Sequence, residues 1–225
     1  MSGFAGRVVA VTVAVVAVGV LIALYVADWA TSFPTPVSST VNPLSAGGGT
    51  NLTLETVAAV GKKEASKPDW VSYLVRSDGR WVHSTIYTVP ANSVVHVTLY
   101  QFDSPTGLRN PLFSQVQGTV GGTMTLNGKS VNSVGPEEPA HTFAIPELGV
   151  YVPLPGVNEE AKNFCAEGPC EPATQEHDTI TFSFRAGKKG RYRWQCFVPC
   201  GAGFLNGNGG PMQTLGYMGG FIDVV

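Results

Sequence analysis

Apolar and polar residues alternate along Thr179-Ile180-Thr181-Phe182-Ser183-Phe184 and again, after the turn Gly187-Lys188-Lys189-Gly190, from Arg191 to Cys196. A period of two puts Ile180, Phe182 and Phe184 on one face of a first strand, and Tyr192, Trp194 and Cys196 on one face of a second. A chain with such faces must bury them against another layer. Trp81 to Val89 and Val94 to Phe102 read as earlier strands, and Phe221 to Val225 as the closing one. No amphipathic helical period of any length occurs beyond the N-terminus, and no repeat recurs at a fixed spacing. The expected fold is mainly β, a Greek-key sandwich or barrel, preceded by one N-terminal transmembrane helix.

That helix is read from Val8 to Ala27, an almost unbroken apolar run interrupted mildly by Thr12 and Gly19. About twenty residues rising 1.5 Å each cross a hydrocarbon core of roughly 30 Å. A cleavable signal peptide is the alternative, but its apolar stretch is usually about 7–15 residues. Arg7 is the only charge ahead of the run, so the positive-inside rule puts the N-terminus in the cytoplasm and the remainder outside, with Trp29 at the outer interface. Three stretches follow: an anchor over 1–30, a flexible Pro/Ser/Gly-rich linker over 31–69 and an extracytoplasmic domain over 70–225. Leu54 to Val60, inside the linker, is compatible with a turn or two of helix. The net charge of -2, with 13% charged residues, provides no basic stripe for a nucleic acid.

The chemistry gathers in two distant segments. Cys196-Phe-Val-Pro-Cys200-Gly ends the last alternating strand, and an isolated His141-Thr-Phe-Ala-Ile-Pro-Glu-Leu-Gly run lies well upstream. Two soft sulfurs and an imidazole brought together from separate parts of a chain suggest copper. Without metal, two thiols this close in an oxidising compartment tend to form a disulfide. Cys165 and Cys170 sit in a charged loop where a local disulfide is expected. Glycine-rich phosphate loops, Gly-x-Ser-x-Gly elbows and His-Glu-x-x-His helices are missing, so no self-contained active site is expected.

The segment from Ala140 to Val150, followed by a strand and by Tyr192 to Gly201 with its Cys-x3-Cys-Gly, resembles the copper-binding domain of subunit II of haem-copper (cytochrome c) oxidases, a cupredoxin. The likeness runs from about Trp81 to Val225. It implies that His141 is a histidine ligand of a dinuclear copper centre and that Cys196 and Cys200 are its bridging thiolates. Val198 stands where the family has a glutamate that binds through its main-chain carbonyl. Phe204 replaces the second histidine and Gly207 the methionine, leaving Met212 as the displaced methionine, with Met218 as a second candidate. The ligand set is therefore incomplete unless His83, His96, His177 or a partner chain supplies a nitrogen. His83 and His96 read as structural histidines within strands, and His177 as an exposed loop residue.

What the resemblance implies is a membrane-anchored cupredoxin that relays electrons from an external cytochrome or copper protein to other subunits of a membrane oxidoreductase complex, with Trp194 as the aromatic that receives them. The alternative is a copper-free cupredoxin that serves as a structural or assembly subunit of such a complex. Copper delivery is a weaker reading, because methionine- and histidine-rich tracts are lacking.

Overall fold

Strand pairing beyond the N-terminal helix builds two sheets from segments far apart in the chain. The computed structural model describes residues 2–31, 35–41, 49–61, 68–201 and 210–225. The chain divides into two units, Met1–Phe33 and Pro34–Val225. The first holds helix α1 (Ser2–Thr31), within which Gly3–Ala27 is long and apolar enough to cross a membrane. Within that run the Thr12 hydroxyl, Oγ1, donates to the Val8 carbonyl at 2.9 Å and so has its partner inside the helix. The side chain of Trp29 lies outside the described part.

In the second unit the strands are β1 (Val37–Ser38), β2 (Thr40–Val41), β3 (Thr50–Val57), β4 (Ser72–Ser77), β5 (Arg80–Val82), β6 (Ile86–Val89) and β7 (Val94–Gln101). They continue with β8 (Met124–Leu126), β9 (Lys129–Val131), β10 (Pro139–Ile145), β11 (Val150–Pro155), β12 (Asp178–Arg185), β13 (Gly190–Gln195) and β14 (Gly219–Val224). Among the described residues, one sheet has the order β1-β6-β14-β13-β10-β11, and the other β5-β4-β3-β7-β12-β8-β9 with β2 beside β3. Parallel pairs (β1 with β6, β6 with β14, β3 with β7) stand among antiparallel ones, as strands that cross between layers require. The mainly-β sandwich with one N-terminal helix expected from the sequence is the architecture observed.

The alternating faces meet between the sheets. Ile180, Phe182 and Phe184 from β12 and Val95, Val97 and Leu99 from β7 pack in one cluster with Phe143 and Ile145 of β10 and Trp194 of β13. Each fully buried side chain of this size contributes about 1.5–3 kcal/mol through removal of apolar surface from water. Trp194 is the hub: its ring packs against Tyr73 (4.8 Å between centroids), Tyr87 (5.5 Å) and Phe143 (5.3 Å).

Two expectations are corrected here. The stretch expected as a linker, with a helical turn at Leu54 to Val60, contains β3, a strand paired with β7, β4 and β2. Leu52 and Leu54 enter the main core and Val57 a smaller one, so long-range pairing overrides the ambiguous local pattern. The single strand expected over Trp81 to Val89 is split: β5 belongs to one sheet and β6 to the other, with His83, Ser84 and Thr85 making the step between layers. The backbone of Gly220 passes so close to this step that a Cβ there would lie 1.8 Å from the Thr85 carbonyl oxygen, which only glycine permits.

The smaller core holds Val57, Val60, Leu74, Phe102 and the cysteines 165 and 170, which form the expected disulfide. Beside it Glu55 is fully buried; one carboxyl oxygen accepts the Cys170 N–H at 3.4 Å and the other has no hydrogen-bond partner among the described residues. Burial raises its pKa from 4.5 to about 8, against a downward pull from the Cys170 N–H. The folded chain therefore holds this proton more tightly than the unfolded one. Its stabilising contribution is complete below about pH 4.5 and is lost as the pH rises through about 8. Denaturant titration of the full chain in detergent should show stability falling across that window, and Glu55→Gln should flatten most of the fall.

Candidate metal centre

Antiparallel pairing of β10 with β13, at Ala144 and Gln195, sets the C-terminal ends of the two strands beside each other. Cys196 continues directly from Gln195, and His141 lies upstream in β10, so the two come together although they are 55 residues apart. His141 Nδ1 is 3.9 Å from Cys196 Sγ, which is 3.9 Å from Cys200 Sγ; Cys200 Sγ is 3.0 Å from Met212 Sδ. All four side chains are buried: His141 is 1% exposed, Cys196 0%, Cys200 7% and Met212 5%.

Backbone groups hold these atoms in place. The Thr142 N–H donates to Cys196 Sγ at 3.4 Å, while the Thr142 hydroxyl oxygen accepts the Phe197 N–H at 2.8 Å. The Thr142 carbonyl accepts the Tyr73 hydroxyl at 2.9 Å, and the Met218 carbonyl accepts the Cys196 N–H at 2.8 Å. The Val198 carbonyl oxygen lies 3.4 Å from Cys196 Sγ, so the main chain at this position faces the sulfur although its side chain is valine. Phe197, between the cysteines, stacks on Phe113 at 5.3 Å and contacts Tyr151 at 6.1 Å.

Asp103, which follows β7 in the other sheet, is the residue that sequence reading missed. Its Oδ2 lies 2.9 Å from His141 Nε2, and its Oδ1 accepts the Ser104 N–H at 2.8 Å. This pairing directs the opposite ring nitrogen, Nδ1, toward the sulfurs, the arrangement by which a carboxylate fixes the orientation of a metal-binding imidazole. One acid among many in the sequence carries no mark of this role. Only the packing of the two sheets brings it to His141.

Electrostatics polarise the cluster. Burial pushes the His141 imidazole down, but the hydrogen bonds to Asp103 and to the Cys196 sulfur outweigh it and raise the pKa to about 9. Burial also opposes ionisation of Cys196, yet the Cys200 thiol and His141 together hold its pKa well below the ordinary thiol range. Cys200 is driven the other way, first by its hydrogen bond to the Cys196 sulfur and then by burial. The two thiols are thus biased in opposite directions, Cys196 toward the thiolate and Cys200 toward the thiol.

His141, Cys196 and Cys200 offer ligand atoms all within 4.8 Å of one another. The remaining histidines do not join them. His96 Nδ1 lies 2.8 Å from Ser183 Oγ. His177, expected to be exposed, is half-buried against Phe102, with Nδ1 2.9 Å from the Gln175 carbonyl. His83 sits in the step between sheets, edge-on to Tyr217 at 5.1 Å. Met218 is buried in the main core. Phe204 and Gly207 lie outside the described residues. Trp194 is corrected: it is fully buried, with Nε1 donating to the Thr85 carbonyl at 3.0 Å, and so offers no surface to an external donor.

The donors suit copper. Metal bonds of the lengths zinc makes, about 2.3 Å to sulfur and 2.0 Å to imidazole nitrogen, span up to about 4.6 Å between two sulfurs and about 4.3 Å between sulfur and nitrogen; Cys196 Sγ is 3.9 Å from both His141 Nδ1 and Cys200 Sγ. Thiolate, thioether and imidazole are the ligand types that soft copper selects.

No protein-family model matches the chain, and no curated protein sequence matches it. Among solved structures, the chain is similar to one from a haem-copper terminal oxidase dimer, with 16% identity over 98% of this chain and 99% of that one and a TM-score of 0.31. It is similar also to rusticyanin from Thiobacillus ferrooxidans, with 14% identity over 83% of this chain and 87% of that one and a TM-score of 0.31. A methionine-to-leucine variant of rusticyanin has 14% identity over 84% and 81%, with a TM-score of 0.34.

Removing the Asp103 carboxylate should loosen His141 without unfolding the sandwich. Asp103→Ala is expected to weaken copper binding by about 10–100-fold, measured by competition with a chromophoric chelator, and Asp103→Asn by less, because its amide oxygen still accepts from the ring.

Proposed function

We propose that this chain is a membrane-anchored, extracytoplasmic cupredoxin of the oxidase subunit II kind, which relays single electrons from an external cytochrome or copper protein to a membrane oxidoreductase partner. The observation that carries this reading is the convergence of His141, Cys196, Cys200 and Met212 in one buried cluster. Copper, when bound, supplies a reversible exchange of one electron; the protein supplies the frame. His141 stands on β10 and Cys196 directly after the neighbouring β13, and each side chain is already pinned by a hydrogen bond, His141 through Nε2 to Asp103 and Cys196 through Sγ from the Thr142 N–H. Donors held this way move little when charge changes, which keeps the energetic cost of electron transfer low. The apolar helix is read as the anchor, with its N-terminus in the cytoplasm.

The free thiols favour one alternative. Cys196 and Cys200 are unlinked with their sulfurs 3.9 Å apart, so a modest shift would join them as a disulfide and leave a copper-free scaffold subunit.

The full chain, purified in detergent and supplied with copper, should retain the metal and show an intense visible thiolate-to-copper band, and it should copurify with haem-bearing membrane subunits. Cys196→Ser should abolish both band and tight binding. Copper-free protein with a mapped Cys196–Cys200 disulfide would instead support the scaffold.

A further inference from the structure

The number of nitrogen donors limits what the cluster can hold. The chain contains 4 histidines, all of them within the described residues, and three have other surroundings: Ser183 for His96, the Gln175 carbonyl and Phe102 for His177, and Tyr217 for His83. Only His141 faces the sulfurs. A second ion sharing both thiolates would have the Val198 carbonyl oxygen, 3.4 Å from Cys196 Sγ, within reach, but none of the other three histidines to supply its imidazole.

On the other side the set is complete. Met212 is placed there by construction: the Pro211 carbonyl accepts the Met218 N–H at 3.1 Å, and the Met212 carbonyl accepts Gln195 Nε2 at 3.4 Å. Gly201, immediately after Cys200, has φ +89°, and a Cβ on it would lie 2.4 Å from Pro211 Cγ. Only a glycine lets Pro211, and with it Met212, approach the second cysteine this closely.

We infer that the cluster takes one soft ion of the Cu(I) type per chain, held by His141 Nδ1, Cys196 Sγ, Cys200 Sγ and Met212 Sδ, rather than a copper pair. This rests on the copper reading above. Three sulfurs and one imidazole favour a monovalent soft ion. Met212 also separates copper from zinc, whose sites are built from thiolate, imidazole and carboxylate and not from thioether.

The test is an anaerobic titration of the reduced full chain in detergent with Cu(I) against a chromophoric chelator, repeated with Met212→Leu and, in parallel, with Zn(II). One ion per chain is expected. Met212→Leu, which nearly keeps the side-chain volume, should weaken Cu(I) binding by about tenfold or more and leave zinc affinity unaltered. Two ions per chain would overturn the inference while leaving the copper reading intact. An unchanged Cu(I) affinity in the variant would remove Met212 from the set and overturn it as well. No bound copper at all would overturn the copper reading itself, and the inference with it.

Discussion

One backbone pairing, Ala144 of β10 with Gln195 of β13, brings the chemistry of this chain together. Neither strand's neighbours in sequence supply the other's ligand. The pairing aligns His141 with Cys196, and the polar groups of Thr142 then tie both strands to the cysteine loop: its N–H to the Cys196 sulfur, its hydroxyl to Phe197, its carbonyl to Tyr73. Since Tyr73 belongs to β4 in the opposite sheet, that sheet is tied to the site through Thr142, as it is through the contact of Asp103 with His141.

Charge balance follows from this frame. In the row Asp103, His141, Cys196 the imidazole is drawn toward its cationic form and the sulfur beside it toward the thiolate, so a positive group is favoured between acidic ones. Such a row is tolerable in a buried place because each charge has a partner at hydrogen-bonding distance or close to it. A metal cation entering here replaces protons and preserves the alternation. The geometry that suits a buried ion pair is thus also the geometry that suits a buried metal.

Much of this was legible beforehand. The alternation of β7, β12 and β13 survives in the structure because those strands lie with one face in the core, where a period of two is a direct consequence of geometry. His141, Cys196 and Cys200 were marked by local motifs. β3 was hidden because its partner β7 is distant and parallel and because Glu55, a buried carboxyl, interrupts the pattern. The break at His83 to Thr85 was hidden because the residues on both sides look equally strand-forming. The environment of His177 and the alliance of Asp103 with His141 arise only when sheets and loops pack, and no window of sequence contains both members of either contact.

The Thr85 carbonyl shows how such a fold conceals its dependencies. This one oxygen accepts both the Trp194 indole N–H and the Phe221 backbone N–H, each at 3.0 Å, just where the chain steps from one sheet to the other. It thereby fixes the strand that leads into Cys196, yet it belongs to the main chain, and every amino acid carries an identical group. An alanine scan would leave this acceptor in place and so never register it; replacing the amide by an ester, which weakens the carbonyl as an acceptor without touching any side chain, is what would expose it.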